Sequence, residues 1–279
     1  MNFKNFNNQN NSTMKKLFTT LLLLMVFAMV AQAQMTGSVG GNSSNENTKE
    51  KKKNPNEPLL VLYFNGAFPM GDFKAGDVTN NFPQGWALLD EKGHKGFAGP
   101  GFAFGLEALS PLKVKGLSFF FGWDIIYNSY SSELRSFISD NSDKIDHKPR
   151  VMNIALMMGL RYTIDLSNGF GLFFEGGAGG NMRMISNLGY TIKENNYRLT
   201  RTISYDLAFT FAFKIGVGMM FGKHVSLGLD YYGLGSADVK GSIKTTEWSS
   251  YDGTHKSTSK YKGKSMTCSD LMLRLGFYF

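Results

Sequence analysis

Between Ile203 and Phe221 the chain alternates without a break. Ile203, Tyr205, Leu207, Phe209, Phe211, Phe213, Ile215, Val217, Met219 and Phe221 share one parity. Ser204, Asp206, Ala208, Thr210, Ala212, Lys214, Gly216, Gly218 and Met220 share the other. A period of two sends the two sets to opposite faces of an extended strand, and no helical repeat fits it.

The same alternation recurs at 117–127, 152–164 and 271–279, and more weakly at 59–68, 99–109, 170–184 and 225–234. Eight strands follow from this reading. Short links at Ser110–Lys115, Asp165–Gly169 and Gly222–His224 alternate with long ones near 69–98, 130–149, 185–201 and 236–265. An even strand number with short turns at one end and long loops at the other predicts an all-β, eight-stranded antiparallel up-and-down transmembrane β-barrel. The short turns would face the periplasm.

Period two alone does not say which face is outside, since a soluble barrel alternates in the same way. The smaller parity is rich in Gly and Ala and carries few charges, whereas a water-facing surface is typically ~25–35% charged. Gly accounts for 32 of 279 residues, aromatics for 14% and charged residues for 19%. Small residues with scattered charges suit a tight interior; bulky apolar side chains suit lipid. Tyr127, Tyr162, Tyr205 and Tyr231 fall toward strand ends, as in the aromatic girdles of membrane barrels. The mean hydropathy of −0.19 averages over these two faces and over polar connections. One Cys excludes a disulfide scaffold and a Cys-based metal cluster.

Residues 1–13 read as an over-extended gene start ahead of Met14. A signal peptide is expected over 14–33: Lys15 and Lys16, an apolar run from Leu17 to Val30, then Ala31-Gln32-Ala33. Residues 34–58 hold almost nothing to bury and predict a disordered periplasmic tether, with the barrel domain spanning 59–279. Loss of Lys4, Lys15 and Lys16 takes three charges from the formal +8, leaving +5. That excess, on an exported chain, does not point to a nucleic-acid partner.

Eight inner-parity charges, Glu107, Asp124, Arg161, Glu175, Asp206, Lys214, Asp230 and Arg274, are expected to form a paired lumen network. An eight-stranded barrel leaves little free bore, which favours a structural network over an ion path. In the last long connection, Lys256, Lys260, Lys262 and Lys264 form a candidate surface for lipopolysaccharide phosphates or another anionic polymer. An ordinary solvated loop would look the same.

On these features the chain resembles the small outer-membrane β-barrel family, the OmpA-transmembrane, OmpX-like and PorT-like proteins of the Gram-negative envelope. The resemblance covers 59–279 and includes the end Leu275-Gly276-Phe277-Tyr278-Phe279. It implies that Leu275, Phe277 and Phe279 form the signal read by the barrel-assembly machinery. It further implies contact with outer-membrane lipid and lipopolysaccharide, and a non-enzymatic structural, adhesion or partner-binding role through the long loops. An accessory role in secretion is the PorT-like alternative. No peptidoglycan-binding domain of the family is expected after the barrel, and the tether leaves room for a periplasmic partner.

Motifs for chemistry are weak. The glycine clusters 99–101 and 176–180 lie in strand patterns with no following helix to receive a phosphate. Gly263-Lys264-Ser265 lacks the P-loop glycine, since position 258 is Thr. The four histidines lack metal-ligand spacing. His224-Val225-Ser226 resembles the His-x-Ser pair of outer-membrane lipid A deacylases, with Asp230 or Glu247 as the third group. Its place in a short periplasmic turn argues against a lipid-modifying enzyme. No cofactor, metal or catalytic residue is expected.

Overall fold

A computed structural model describes residues 59–75, 98–132, 135–136, 139, 142–147, 150–166, 169–222 and 224–279, without the side chains of residues 75 and 264. The expected gene start, signal peptide and tether, residues 1–58, lie outside the described residues.

The described residues form eleven strands: β1 (Leu59–Pro69), β2 (Ala98–Pro111), β3 (Leu117–Tyr130), β4 (Lys144–His147), β5 (Arg150–Asp165), β6 (Phe170–Ile185), β7 (Leu188–Glu194), β8 (Tyr197–Tyr205), β9 (Ala208–Phe221), β10 (Val225–Ser249) and β11 (Gly253–Tyr278). A short helix, α1 (Gly71–Ala75), follows β1. All pairings are antiparallel, and eight strands close a ring in the order β1-β2-β3-β5-β6-β9-β10-β11, with β11 returning to β1. The seam is long: Val61 lies opposite Tyr278 and Pro69 opposite Asp270. Leu60 and Phe279 exchange backbone hydrogen bonds beyond it, with Phe279 N donating to Leu60 O at 2.9 Å. Closure leaves the ring without an unpaired edge.

The three short turns each contain a glycine in the left-handed region, Gly116 (φ 80°), Gly169 (φ 79°) and Gly222 (φ 64°). Side chains with a Cβ rarely adopt that conformation, which accounts for glycine at these reversals.

The other end departs from the sequence reading. Connections expected as long loops carry β-structure: β4 within 130–149, β7 and most of β8 within 185–201, and the outer halves of β10 and β11 within 236–265. The final strand therefore begins at Gly253, not at 271, and β10 and β11 run 25 and 26 residues. Beyond the ring, β10 pairs with β8, β8 with β7 and β7 with β4, forming a sheet extension. The expected loop 69–98 opens with α1, and residues 76–97 lie outside the described residues.

The alternation also changes phase. On β9 the odd residues face out, Phe209 being 76% exposed, whereas on β8 Ile203 is fully buried. The nineteen-residue run is thus two strands, parted at Asp206 and Leu207. β10 slips one residue against β11 between Gly233 and Ser236, beside Gly235 at φ 74°, and the register shifts back between Asp238 and Lys240. Below these slips Leu227, Leu229, Tyr231, Leu271, Leu273 and Leu275 face outward; above them Val239 and Gly241 face inward and Lys240 and Lys262 face outward. Tyr205, expected in a girdle, consequently faces inward, whereas Tyr162 and Tyr231 are exposed.

The phase change has a clear physical reason. A one-residue slip sends every later side chain to the opposite face, so along the upper β10 the even residues, rich in Lys and Ser, face outward in place of the apolar odd ones. Inside, one apolar cluster runs from Val61, Tyr63 and Phe120 to Tyr190, Ile203 and Val239 of the extension.

β4 is pinned to β7 by Asp146, whose carboxylate contacts Lys144 Nζ at 2.8 Å and accepts from Thr191 Oγ1 at 2.8 Å. The hydrogen bond from Lys144, then that from Thr191, hold this carboxyl below its ordinary value. A depressed folded value stabilises above the unfolded value, and the gain is lost as pH falls through the folded one. Amide exchange in β4 and β7 should therefore quicken as pH drops below about 4, more than intrinsic exchange accounts for, and Asp146→Asn should remove that dependence.

Candidate functional site

The ring's interior holds a ladder of charges placed by strand register. Arg161 on β5 lies opposite Glu175 on β6, Glu175 opposite Gly216 on β9, and Gly216 opposite Asp230 on β10. A Cβ at Gly216 would sit 2.2 Å from Asp230 Oδ1 and 2.9 Å from Glu175 Cγ, so only glycine lets the two carboxylates reach across the bore. Gly105 likewise yields its space to Tyr63 and Asp124.

Glu175 is the hub. It pairs with Arg161, with Lys214 Nζ at 2.8 Å and with Arg274 Nη2 at 2.5 Å. Glu107 meets Arg161 at 2.7 Å and Lys214 at 2.9 Å, and Asp230 meets Arg274 Nε at 2.8 Å. Tyr232 donates to Asp124 Oδ2 at 2.9 Å, and Arg161 donates to Tyr278 Oη at 3.1 Å. The six ion-paired side chains, from β2, β5, β6, β9, β10 and β11, are at most 1% exposed. Aromatic faces fill the remaining space: Lys214 Nζ lies 4.7 Å from the Phe120 centroid, Arg161 4.8 Å from Phe173 and Arg274 4.6 Å from Tyr63. Cations held against ring faces and carboxylates recover part of the large cost of leaving water. These contacts tie six strands together across the bore.

Seven of the eight charges expected in the lumen, all but Asp206, are buried there. Asp206 is exposed in the break between β8 and β9, because the phase slip turns its parity outward, and its amide donates to Lys240 O at 2.9 Å. The sequence reading missed an upper polar tier. Asn128 donates to Asp270 Oδ1 at 2.8 Å, Asn181 to Asn153 Oδ1 at 3.0 Å, and the buried Arg183 to the carbonyls of Met266 and Gly235, each at 2.8 Å. These residues share the inner parity with the charges, which is the signal that could have found them. Tyr63, Phe120 and Phe173 gave no such signal, being apolar residues on the sparse face.

Of the expected anionic-polymer residues, Lys256, Lys260 and Lys262 are exposed on β11 in a paired hairpin, and Lys262 contacts Asp238 at 3.2 Å. The side chain of Lys264 lies outside the described residues. Of the residues expected to form an assembly signal, Leu275 and Phe279 are exposed and Phe277 is half-buried on the outer face of β11. The histidine and serine of the deacylase-like pair do not form a triad. Ser226 is fully buried, His224 Nδ1 lies 3.4 Å from Tyr278 O, and Asp230 is committed to Arg274. Glu247 lies twenty-one residues further along β10, on the order of 70 Å of strand path.

The outside of the ring is apolar. Phe64, Phe102, Leu156, Met158, Phe174, Phe211, Ile215, Leu229 and Leu273 are each 43–69% exposed. An antiparallel ring with charges inside and aromatic and aliphatic side chains outside is the membrane-barrel class of all-β protein.

In comparison with solved structures, the chain is similar to outer-membrane proteins. These include Neisserial surface protein A (TM-score 0.37, 8% identity, covering 79% of this chain and 95% of that one) and OprG from Pseudomonas aeruginosa (0.35, 12%, 80% and 95%). A major outer membrane protein from Thermus thermophilus is a third (0.37, 11%, 80% and 99%). No protein-family model matches the chain, and no curated protein matches it significantly.

Proposed function

We propose that the chain is an integral outer-membrane protein, an eight-stranded up-and-down transmembrane barrel with a plugged lumen and no catalytic activity. Its work lies at the cell surface, in envelope structure, adhesion or partner binding through the sheet extension formed by β4, β7, β8 and the outer halves of β10 and β11. The observation that supports this is the inversion of polarity: charges at most 1% exposed inside, and Phe209 and Phe211 at 76% and 69% outside. In water that surface would aggregate; in hydrocarbon it is the favoured one, because the closed ring satisfies the backbone internally.

The chain folded in detergent should migrate faster on a gel unheated than boiled, and in a planar bilayer it should give no steady conductance. Monomeric folding in plain buffer would defeat the membrane assignment. A stable open-channel current would defeat the plug alone.

A further inference from the structure

The apolar belt ends where the basic face begins. Leu207, 51% exposed, is the last outward apolar residue of the β9 run, and the neighbouring Asp206 amide binds the carbonyl of Lys240. From that level upward, register fixes what shares the outer face. Lys240 lies opposite Lys262, Ser242 opposite Lys260, Lys244 opposite Thr258 and Thr246 opposite Lys256. On the other side Lys244 lies opposite Thr202 and Trp248 opposite Arg198. Directly opposed residues of an antiparallel pair point to the same side.

The outward face of β8, β10 and β11 therefore carries six bases, Arg198, Lys240, Lys244, Lys256, Lys260 and Lys262, bordered by two acids, Asp206 and Asp238. Asp238 lies 3.2 Å from Lys262, and the other two acids of the hairpin point elsewhere. Glu247, with its opposed residues Leu199 and His255, lies on the other face of the sheet, and Asp252 lies at the tip. Ser242, Thr246 and Thr258 place hydroxyl donors between the lysines. Alternate residues on one strand are about 7 Å apart and opposed pairs about 5 Å, so neighbouring ammonium groups can share an anion.

The geometry points to the phosphate groups of outer-leaflet glycolipid as the occupant of this face, a reading that rests on the outer-membrane assignment and names a ligand for its extension. Continuity with the belt decides between a lipid and a soluble polymer. A lipid whose acyl chains lie along Phe209, Phe211 and Ile215 carries its phosphorylated sugars to the level of Lys240 and Lys262, so apolar and ionic contacts fall on one molecule. Lys256 and Lys260, further up, reach phosphates on the sugars beyond.

The test uses the full chain folded in zwitterionic micelles and a variant with Lys240→Gln, Lys256→Gln, Lys260→Gln and Lys262→Gln. Binding of purified lipopolysaccharide is measured by titration calorimetry at two salt concentrations. The variant should bind at least about tenfold more weakly and lose most of the salt dependence, since exposed charge pairs are screened. Dephosphorylated lipopolysaccharide should bind the native chain as weakly as it binds the variant. Equal binding by both proteins, or no effect of dephosphorylation, overturns the proposal. Tighter binding of a lipid-free anionic polysaccharide than of lipopolysaccharide also overturns it, assigning the face to a soluble polymer. The four side chains are exposed, so the heat-dependent gel shift of the variant should match the native one. A normal shift with unchanged binding counts against this inference alone, whereas loss of the shift in the native chain counts against the barrel.

Discussion

Glu175→Ala should be the most damaging single substitution in the barrel. Glu175 contacts three of the lumen cations, Arg161, Lys214 and Arg274, and its removal leaves them with Glu107, Asp124 and Asp230. Breaking a buried pair typically costs about 3–5 kcal/mol, because the abandoned charge stays buried. Here one deletion strips a contact from three cations at once, so the loss should lie at or above the top of that range. The measurement is the midpoint of urea unfolding in detergent or lipid, followed by the unheated gel shift. Asp206→Ala is the internal control. It is exposed at the strand break, so its midpoint should move by no more than about 0.5 kcal/mol. Equal effects of the two substitutions would mean that the plug does not hold the ring together.

The second large effect concerns the outside. Arginine placed on the lipid face costs about 2–4 kcal/mol at the bilayer midplane and about 0–1 near the interfaces. An arginine scan down β9 and up the hairpin should trace that profile. Ile215→Arg, at a residue 61% exposed in mid-belt, should cost the full amount. Leu207→Arg should cost little, and Thr258→Arg, above the phase slip, should cost nothing measurable. A flat profile along β9 would remove the belt, and with it the membrane assignment. A maximum at Leu207 would place the bilayer higher than the slip does.

What the sequence disclosed follows from where alternation had physical force. The lumen charges were legible because Glu107, Arg161, Glu175 and Lys214 each interrupt a sparse face between bulky neighbours. Asp206 was misread because Ile203 and Tyr205 are as apolar as Leu207 and Phe209, so the parity ran through the slip without a visible break. Those two pairs are apolar for opposite reasons: Ile203 and Tyr205 pack inside the extension, Leu207 and Phe209 face outward. The outer half of β11 was hidden differently. From Gly253 to Ser265 both parities are polar, Ser257 and Ser259 on one side and Lys256, Thr258 and Lys260 on the other. Its strand character comes from pairing with β10, not from a hydrophobic pattern. Backbone ladders of this kind leave no periodic mark.

The seam between β1 and β11 has a consequence for how the molecule comes into being. Its partners are separated by more than two hundred positions, from Pro69 with Asp270 to Val61 with Tyr278, whereas the other ring pairs join strands far closer in the chain. Contacts at such separation form late, since the intervening chain must first be ordered. Until then the inner charges face an incomplete wall and two strand edges stand open, an invitation to misfolding and aggregation. Assembly should therefore show a slow final phase in which β11 finds β1, and a chaperone able to shelter one free edge would shorten the hazardous interval without altering the finished barrel.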